Sequence, residues 1–236
     1  MSLKNIMVQA PLFTAFTVPP LENGDRLTRQ EFERRYDAMP QLKKAELIEG
    51  IVYMASPLRI TQHGEPHAAV MTLLGLYKAS TLGVQLGDNC TVRLDAENEP
   101  QPDALLRIER GGQSIIDKEG YVEGAPELIV EIAASSVSID LHKKLEVYCK
   151  YGVQEYAIWR VCDRAVDYFC LQKNRYVQLQ PQAETGFLCS QVFPGLWLDR
   201  EALLRGDLGG AIAILQQGLA TVEHQTFIQQ LAARQA

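Results

Sequence analysis

No apolar stretch in the 236 residues approaches the roughly 20 that a membrane span requires. The chain opens with no basic segment leading into an apolar core, so no signal peptide is expected and the location expected is cytoplasmic. Cysteine is scarce: Cys90, Cys149, Cys162, Cys170 and Cys189 are an odd number with no C-x-x-C pair. That excludes a zinc ribbon and a disulfide framework, and it predicts thiols used as small buried hydrophobes in a reducing compartment. Positive charge is also short, with 23 Lys and Arg against 29 Asp and Glu for a net charge of −6. A general nucleic-acid coat needs a broad basic surface, so that class is excluded, while a local basic cleft is not. Neither phosphate-binding glycine motif is present, and no G-x-S-x-G elbow surrounds Ser135-Ser136. There is no internal repeat and no low-complexity segment.

What is present suffices for a core: 47% of residues are hydrophobic and 22% charged. Residues 1–27 read as an irregular arm, 28–200 as the domain and 201–236 as a helical tail. Thr28-Arg-Gln-Glu31 is a capping box that opens a helix to about Met39. Ala45–Ser56 reads as two strands hinged at Glu49-Gly50. Val70, Met71, Leu74 and Tyr77 recur at helical spacing between Pro66 and Ser80. Strands follow at 83–86 and 91–94, joined by the turn at 87–89.

Pro102-Asp103 opens the strand DALLRIE, and a Gly111-Gly112 loop leads on to Pro126. The run ELIVEIA (127–133) has the near-continuous apolarity of a strand covered on both faces. Ser135, Ser136 and Ser138 mark a turn and N-cap, and a helix is expected from about Ile139 to Tyr151, closed by Gly152. With the strand at 154–161 this makes a strand–helix–strand unit. Strands 164–172 and 174–180 form a hairpin around Lys173-Asn174. In the tail, Leu208, Ala211, Ile212, Leu215 and Leu219 form one stripe, which suits a helix packed on the domain or on a partner subunit.

Chemistry concentrates in the middle of the chain. Glu131 interrupts a buried strand, and a lone buried carboxylate is costly unless paired, hydrogen-bonded or bound to a cation. Asp103 stands at the mouth of another strand. Two such acids on neighbouring strands can converge on Mg²⁺ or Mn²⁺, or they can be a salt-bridged core glutamate beside an ordinary Pro-Asp turn. Asp140, Lys144 and Tyr148 are spaced four apart and share a helical face. Lys144 either folds back over the strand end carrying Glu131, where it could position a water, or forms a solvated ion pair. Lys143 points elsewhere. Glu46 and Glu49 offer a further ligand or two exposed acids at a turn. His67 lies on an apolar face and reads as a satisfied buried histidine, with His63 in a loop before it.

Pro102-Asp103, ELIVEIAASS (127–136), the Asp140–Lys144–Tyr148 spacing and GVQEYAIW (152–159) together resemble the Uma2 family. ELIEG (46–50), Ser56-Pro57 and His67 fit the same pattern, and the resemblance covers about residues 28–200. This family of endonuclease-like proteins, common in cyanobacteria, was once catalogued only as a domain of unknown function. The resemblance implies an α/β, restriction-endonuclease-like PD-(D/E)XK fold, a central mixed sheet flanked by helices, with the site where two central strands part. It implies that Asp103 and Glu131 are the two motif acids and that Glu46 is the acid from the first core elements. Position 133 is alanine where the superfamily motif has lysine, and the resemblance implies that Lys144 takes over its role from the following helix.

The expected function is then Mg²⁺-dependent hydrolysis of DNA, with Mn²⁺ as a substitute. Asp103 and Glu131 hold the metal, Glu46 assists, and Lys144 orients the water. The alternative is a catalytically silent binding module on the same fold, motivated by Ala133 and the acidic balance. Residues 143–175 hold seven basic side chains against four acidic ones, a modest excess that a homodimer could double by joining two clefts.

Overall fold

Residues 18–54, 58–134 and 139–235 are described by a computed structural model. The first elements are α1 (Arg29–Asp37), the hairpin β1 (Ala45–Ile48) and β2 (Ile51–Met54), and α2 (Glu65–Ser80). Next come β3 (Val84–Asp88), β4 (Val92–Arg93), β5 (Ala104–Ile108), β6 (Ile115–Ile116), β7 (Val122–Glu123) and β8 (Leu128–Ala133). Beyond these lie α3 (Leu145–Tyr151), β9 (Glu155–Arg160), β10 (Ala165–Gln172), β11 (Arg175–Gln178), β12 (Leu188–Cys189) and β13 (Trp197–Leu198). Helices α4 (Arg200–Arg205), α5 (Leu208–Leu219) and α6 (Val222–Gln235) close the chain. Both α2 and α3 are entered through π-helical segments, Ile60–Gly64 and Ile139–Lys144. The expected Ser135–Ser138 turn, Ser56-Pro57 and residues 1–17 of the arm lie outside the described residues.

Six strands form a mixed sheet in the order β11-β10-β9-β8-β5-β3. Only the β8–β9 pair is parallel, because those strands are the two ends of the strand–helix–strand unit through α3. Helices flank the sheet on both faces, which is the α/β restriction-endonuclease-like arrangement the sequence implies. Period-two alternation sorts the strand residues. Leu128, Val130 and Ile132 of β8 join Val70, Leu74, Tyr77 and Trp159 in one core, while Ile129 and Ala133 join Val147, Tyr148 and Tyr156 in the other. Glu131 has the parity of the second set, so its carboxylate lies beneath α3.

The capping box forms by half. Thr28 accepts from the Glu31 amide at 3.5 Å, but the Glu31 carboxylate is taken by Arg34 and Arg35, 2.7 Å from each. Phe32 packs with Leu21, Leu47 and Val52 in a third, smaller core under the β1–β2 hairpin. Its turn places Glu49 at φ 52° and Gly50 at φ 71°, the left-handed conformations of a type I′ connection. The end of the arm is not free of structure: the Gly24 and Leu27 amides donate to Val52 and Gly50.

The strands expected at 83–86 and 91–94 both form, as β3 and β4, but in different sheets: β3 pairs with β5, and β4 pairs in parallel with β7 in a small sheet with β6. Two expectations need correction. The tail is three helices, since Gly206 ends α4 at φ 73° and Ala220 ends α5. Its stripe is spent inside the chain, with Ala211, Leu215, Phe227 and Leu231 in the same core as Val70 and Tyr168. Gly218 lets α5 approach closely, as a Cβ there would stand 2.8 Å from Trp197 Cγ. Of the five free thiols only Cys170 is buried, and Cys162 is exposed. Among the described residues no helix is long and apolar enough to cross a membrane.

Candidate active site

The β5–β8 register pairs Ala104 with Val130 and ends there. One step further would set Asp103 opposite Glu131, but the strands part and the Asp103 side chain replaces the missing backbone acceptor. Its Oδ2 accepts from the Ile132 amide at 2.8 Å. Its Oδ1 faces Lys44 Nζ at 2.9 Å and His63 Nε2 at 3.3 Å. Burial alone would raise the Asp103 pKa, yet the bonds from His63, Lys44 and the Ile132 amide hold it well below the usual carboxylate range.

Glu131 is enclosed by α3 and the segment before it. Its Oε1 accepts from Lys144 Nζ at 2.9 Å and from the Tyr148 hydroxyl at 3.1 Å. Lys144 Nζ also meets Glu46 Oε1 at 2.9 Å and Asp140 Oδ1 at 3.5 Å. Glu46 reaches inward from β1, and the same oxygen accepts from the Gln101 amide at 2.7 Å. Lys144 is therefore no solvated ion pair: its side chain is 4% exposed, among three carboxylates. Burial opposes its charge, but Glu131, Glu46 and Asp140 hold its pKa well above the ordinary value. Burial and the neighbouring Asp140, Asp103 and Glu46 push the Glu131 carboxyl up to about 8 against the pull of Lys144. The ammonium is shared three ways, and the crowding of acids is relieved by favouring the neutral form of Glu131.

The structure thus joins Glu131, Lys144, Asp140, Tyr148 and Glu46 in one network, and sets Asp103 with Lys44 and His63 in a second cluster beside it. It leaves Glu49 out, at the hairpin turn with its carboxylate 3.7 Å from Lys143, whose ammonium lies over the Tyr53 ring. His67 belongs to the second cluster's edge: its Nε2 is 3.1 Å from both the Asp103 carbonyl and Asp88 Oδ1. Both partners only accept, so Nε2 carries the proton. The His63 and His67 rings stack, with centroids 5.5 Å apart. Sequence reasoning missed Lys44 and undervalued His63. Lys44 stands just before β1, two residues ahead of Glu46, and His63 stands four before His67.

The donor chemistry fits a hard divalent cation. Such ions take oxygen ligands, often only one or two carboxylates completed by water. Asp103, Glu131 and Glu46 are oxygen donors of that kind, but among the described residues no group of three acids, histidines or cysteines is placed to hold a metal ion. Four carboxylates (Glu46, Asp103, Glu131, Asp140) face two ammoniums (Lys44, Lys144). A bound cation would relieve the surplus that raises Glu131. By contrast, buried Glu155 is satisfied by hydroxyl and amide donors from Tyr168, Ser190 and Gln191, with no lysine, and is structural.

A family model described as "Uma2: Putative restriction endonuclease" matches residues 29–201. The chain belongs to the Uma2 family. Its fold is also similar to a crystal structure of "a putative nuclease belonging to DUF820" from Anabaena variabilis ATCC 29413. The TM-score is 0.53 at 15% identity, covering 72% of this chain and 97% of the other. At that identity the likeness speaks for the fold alone. No curated protein matches the sequence. Within the Uma2 match lie all the residues of the site, from Lys44 to Tyr148, while α5 and α6 fall beyond it.

Proposed function

We propose that the protein is a divalent-cation-dependent endonuclease that hydrolyses phosphodiester bonds in DNA. One observation carries this reading: two carboxylates project from the parting ends of β5 and β8, with the Lys144 ammonium 2.9 Å from Glu131. Asp103 and Glu131 would hold Mg²⁺, or Mn²⁺ in its place, with Glu46 adjacent. Bound there, the cation would polarise a phosphoryl oxygen and lower the pKa of its water. Lys144 fixes the Glu131 carboxylate and, by releasing Asp140, its longest contact, presents an N–H to an attacking water. Tyr148, whose pKa burial and Glu131 hold well above the ordinary value, stays a neutral donor to Glu131. The net reaction consumes one water, whose oxygen ends on phosphorus and one of whose protons ends on the departing sugar oxygen.

The test is nicking of supercoiled plasmid with Mg²⁺ and then Mn²⁺, run beside Glu131→Ala and Lys144→Ala. Metal-dependent nicking that disappears in both variants is the expected result. Nicking that survives both substitutions would assign the activity to another enzyme in the preparation. Absence of wild-type cleavage on plasmid, single-stranded DNA and RNA would favour a silent binding module instead.

A further inference from the structure

Two lysines serve the site, and they are not equivalent. An ammonium has three N–H donors. Lys144 lies among three carboxylates, 2.9, 2.9 and 3.5 Å away, and is hydrogen-bonded to Glu131. Lys44 has Asp103 Oδ1 at 2.9 Å and Asn89 Oδ1 at a long 3.4 Å, and among the described residues no further acceptor lies within bonding distance. Its third donor has no protein partner there. Exposure runs the same way: 4% for the Lys144 side chain, 20% for Lys44 and 55% for Asp88, which borders His67. The site is therefore more open to solvent on the Lys44 side.

We propose that Lys44 is the residue that receives a phosphate of the nucleic-acid backbone, donating its free N–H to a non-bridging oxygen, while Lys144 stays enclosed behind Glu131. This assignment rests on the nuclease reading. His63 shares Asp103 Oδ1 with Lys44, at 3.3 Å.

The experiment is binding of a duplex oligonucleotide with Ca²⁺ in place of Mg²⁺, by fluorescence anisotropy across a salt series. Wild type is compared with Lys44→Gln, Lys44→Arg and Lys144→Gln. Losing one phosphate contact makes the plot of log affinity against log salt shallower by about one. Between about 50 and 200 mM salt, wild type should therefore lose roughly 3.5-fold more affinity than Lys44→Gln. Lys44→Arg should keep the wild-type slope, and any flattening in Lys144→Gln should be smaller than in Lys44→Gln. A wild-type slope in Lys44→Gln, or equal flattening in Lys144→Gln, overturns the assignment. Should Lys44→Gln not fold, acetylation of lysines on wild type gives the same decision. Oligonucleotide should shield Lys44, whereas Lys144 should resist the reagent throughout, and equal labelling of Lys44 with and without oligonucleotide refutes the contact. Wild type that cleaves plasmid while Lys44→Gln binds with an unchanged slope sinks this assignment alone. Wild type that neither binds nor cleaves sinks the nuclease reading, and this with it.

Discussion

Replacing Lys144 by methionine keeps the length of the side chain and removes its charge from among three acids. Removing one partner of a buried ion pair costs about 3–5 kcal/mol, because the other is left unpaired. Lys144 and Glu131 are both 4% exposed by side chain, so no discount for solvent screening applies. The cost should vary with pH, and the sign follows from Glu131. Its folded-state pKa is raised from 4.5 to about 8, so its contribution to stability is full below 4.5 and is lost as pH rises through 8. Below that range Glu131 is neutral and Lys144 matters only through Glu46 and Asp140, near the lower limit of about 3 kcal/mol. Above it the Glu131 carboxylate is charged in the wild type and would be unpaired in the variant, moving the cost towards about 5 kcal/mol. Guanidinium unfolding in EDTA, at pH 6 and pH 9, measures both values from the same pair of proteins. A penalty under about 1 kcal/mol, as for an exposed pair, would show that Lys144 is not buried among acids. A penalty equal at the two pH values would refute the titration of Glu131 in that range.

Three further outcomes rest on other residues. Glu99 is pushed up to about 8 by burial and by Glu33 against the pull of Arg93 and Arg29, so its contribution is lost as pH rises from 4.5 through 8. Glu99→Gln should flatten the fall of the thermal midpoint between those values, and an unchanged profile would contradict it. Gly218→Ala puts a methyl against the Gly195 carbonyl and Trp197, which should cost about 1–3 kcal/mol in urea unfolding. A neutral Gly218→Ala would mean that α5 does not pack so closely. Tyr148→Phe removes a single buried hydroxyl from Glu131, for a loss of about 1 kcal/mol. For a chain of this size that lowers the melting temperature by about 2–4 °C, and a drop beyond about 10 °C would point to a larger role in packing.

The parts of the fold that sequence revealed are those with a repeating physical signal. The apolar run at 128–133 identified the central strand, and its one acid stood out because burial makes an acid expensive. The Asp140–Lys144–Tyr148 spacing put three side chains on one face, and that face proved to be the lid over Glu131. Signals failed where elements are short or non-standard. Two-residue strands such as β6 and β7 carry no period, so residues 109–126 read as a loop. The π-helical entry at 60–64 concealed His63, because its winding departs from the 3.6-residue period by which buried faces are recognised. Lys44 escaped notice because one residue before a four-residue strand is too little alternation to assign a face. The tail's stripe was legible, but its three-part division depends on turns at Gly206 and Ala220 that interrupt no hydrophobic pattern.

Besides its place in the site, Asp103 is a piece of backbone architecture. Its Oδ2 stands where the next carbonyl of β5 would have been, so the acid ends one strand pairing and holds the neighbouring strand in line. Reach then limits what can replace it. Glutamate is one methylene too long to bond Ile132 without displacing Lys44, and alanine would strip an amide of its partner as well as the site of an acid. Asparagine can keep the amide bond while turning its own N–H groups towards Lys44 and His63. An alanine at 103 would therefore confound chemistry with folding, whereas an asparagine separates them. The same constraint binds any drift of this sequence: at position 103 the sheet and the site demand the same short acceptor.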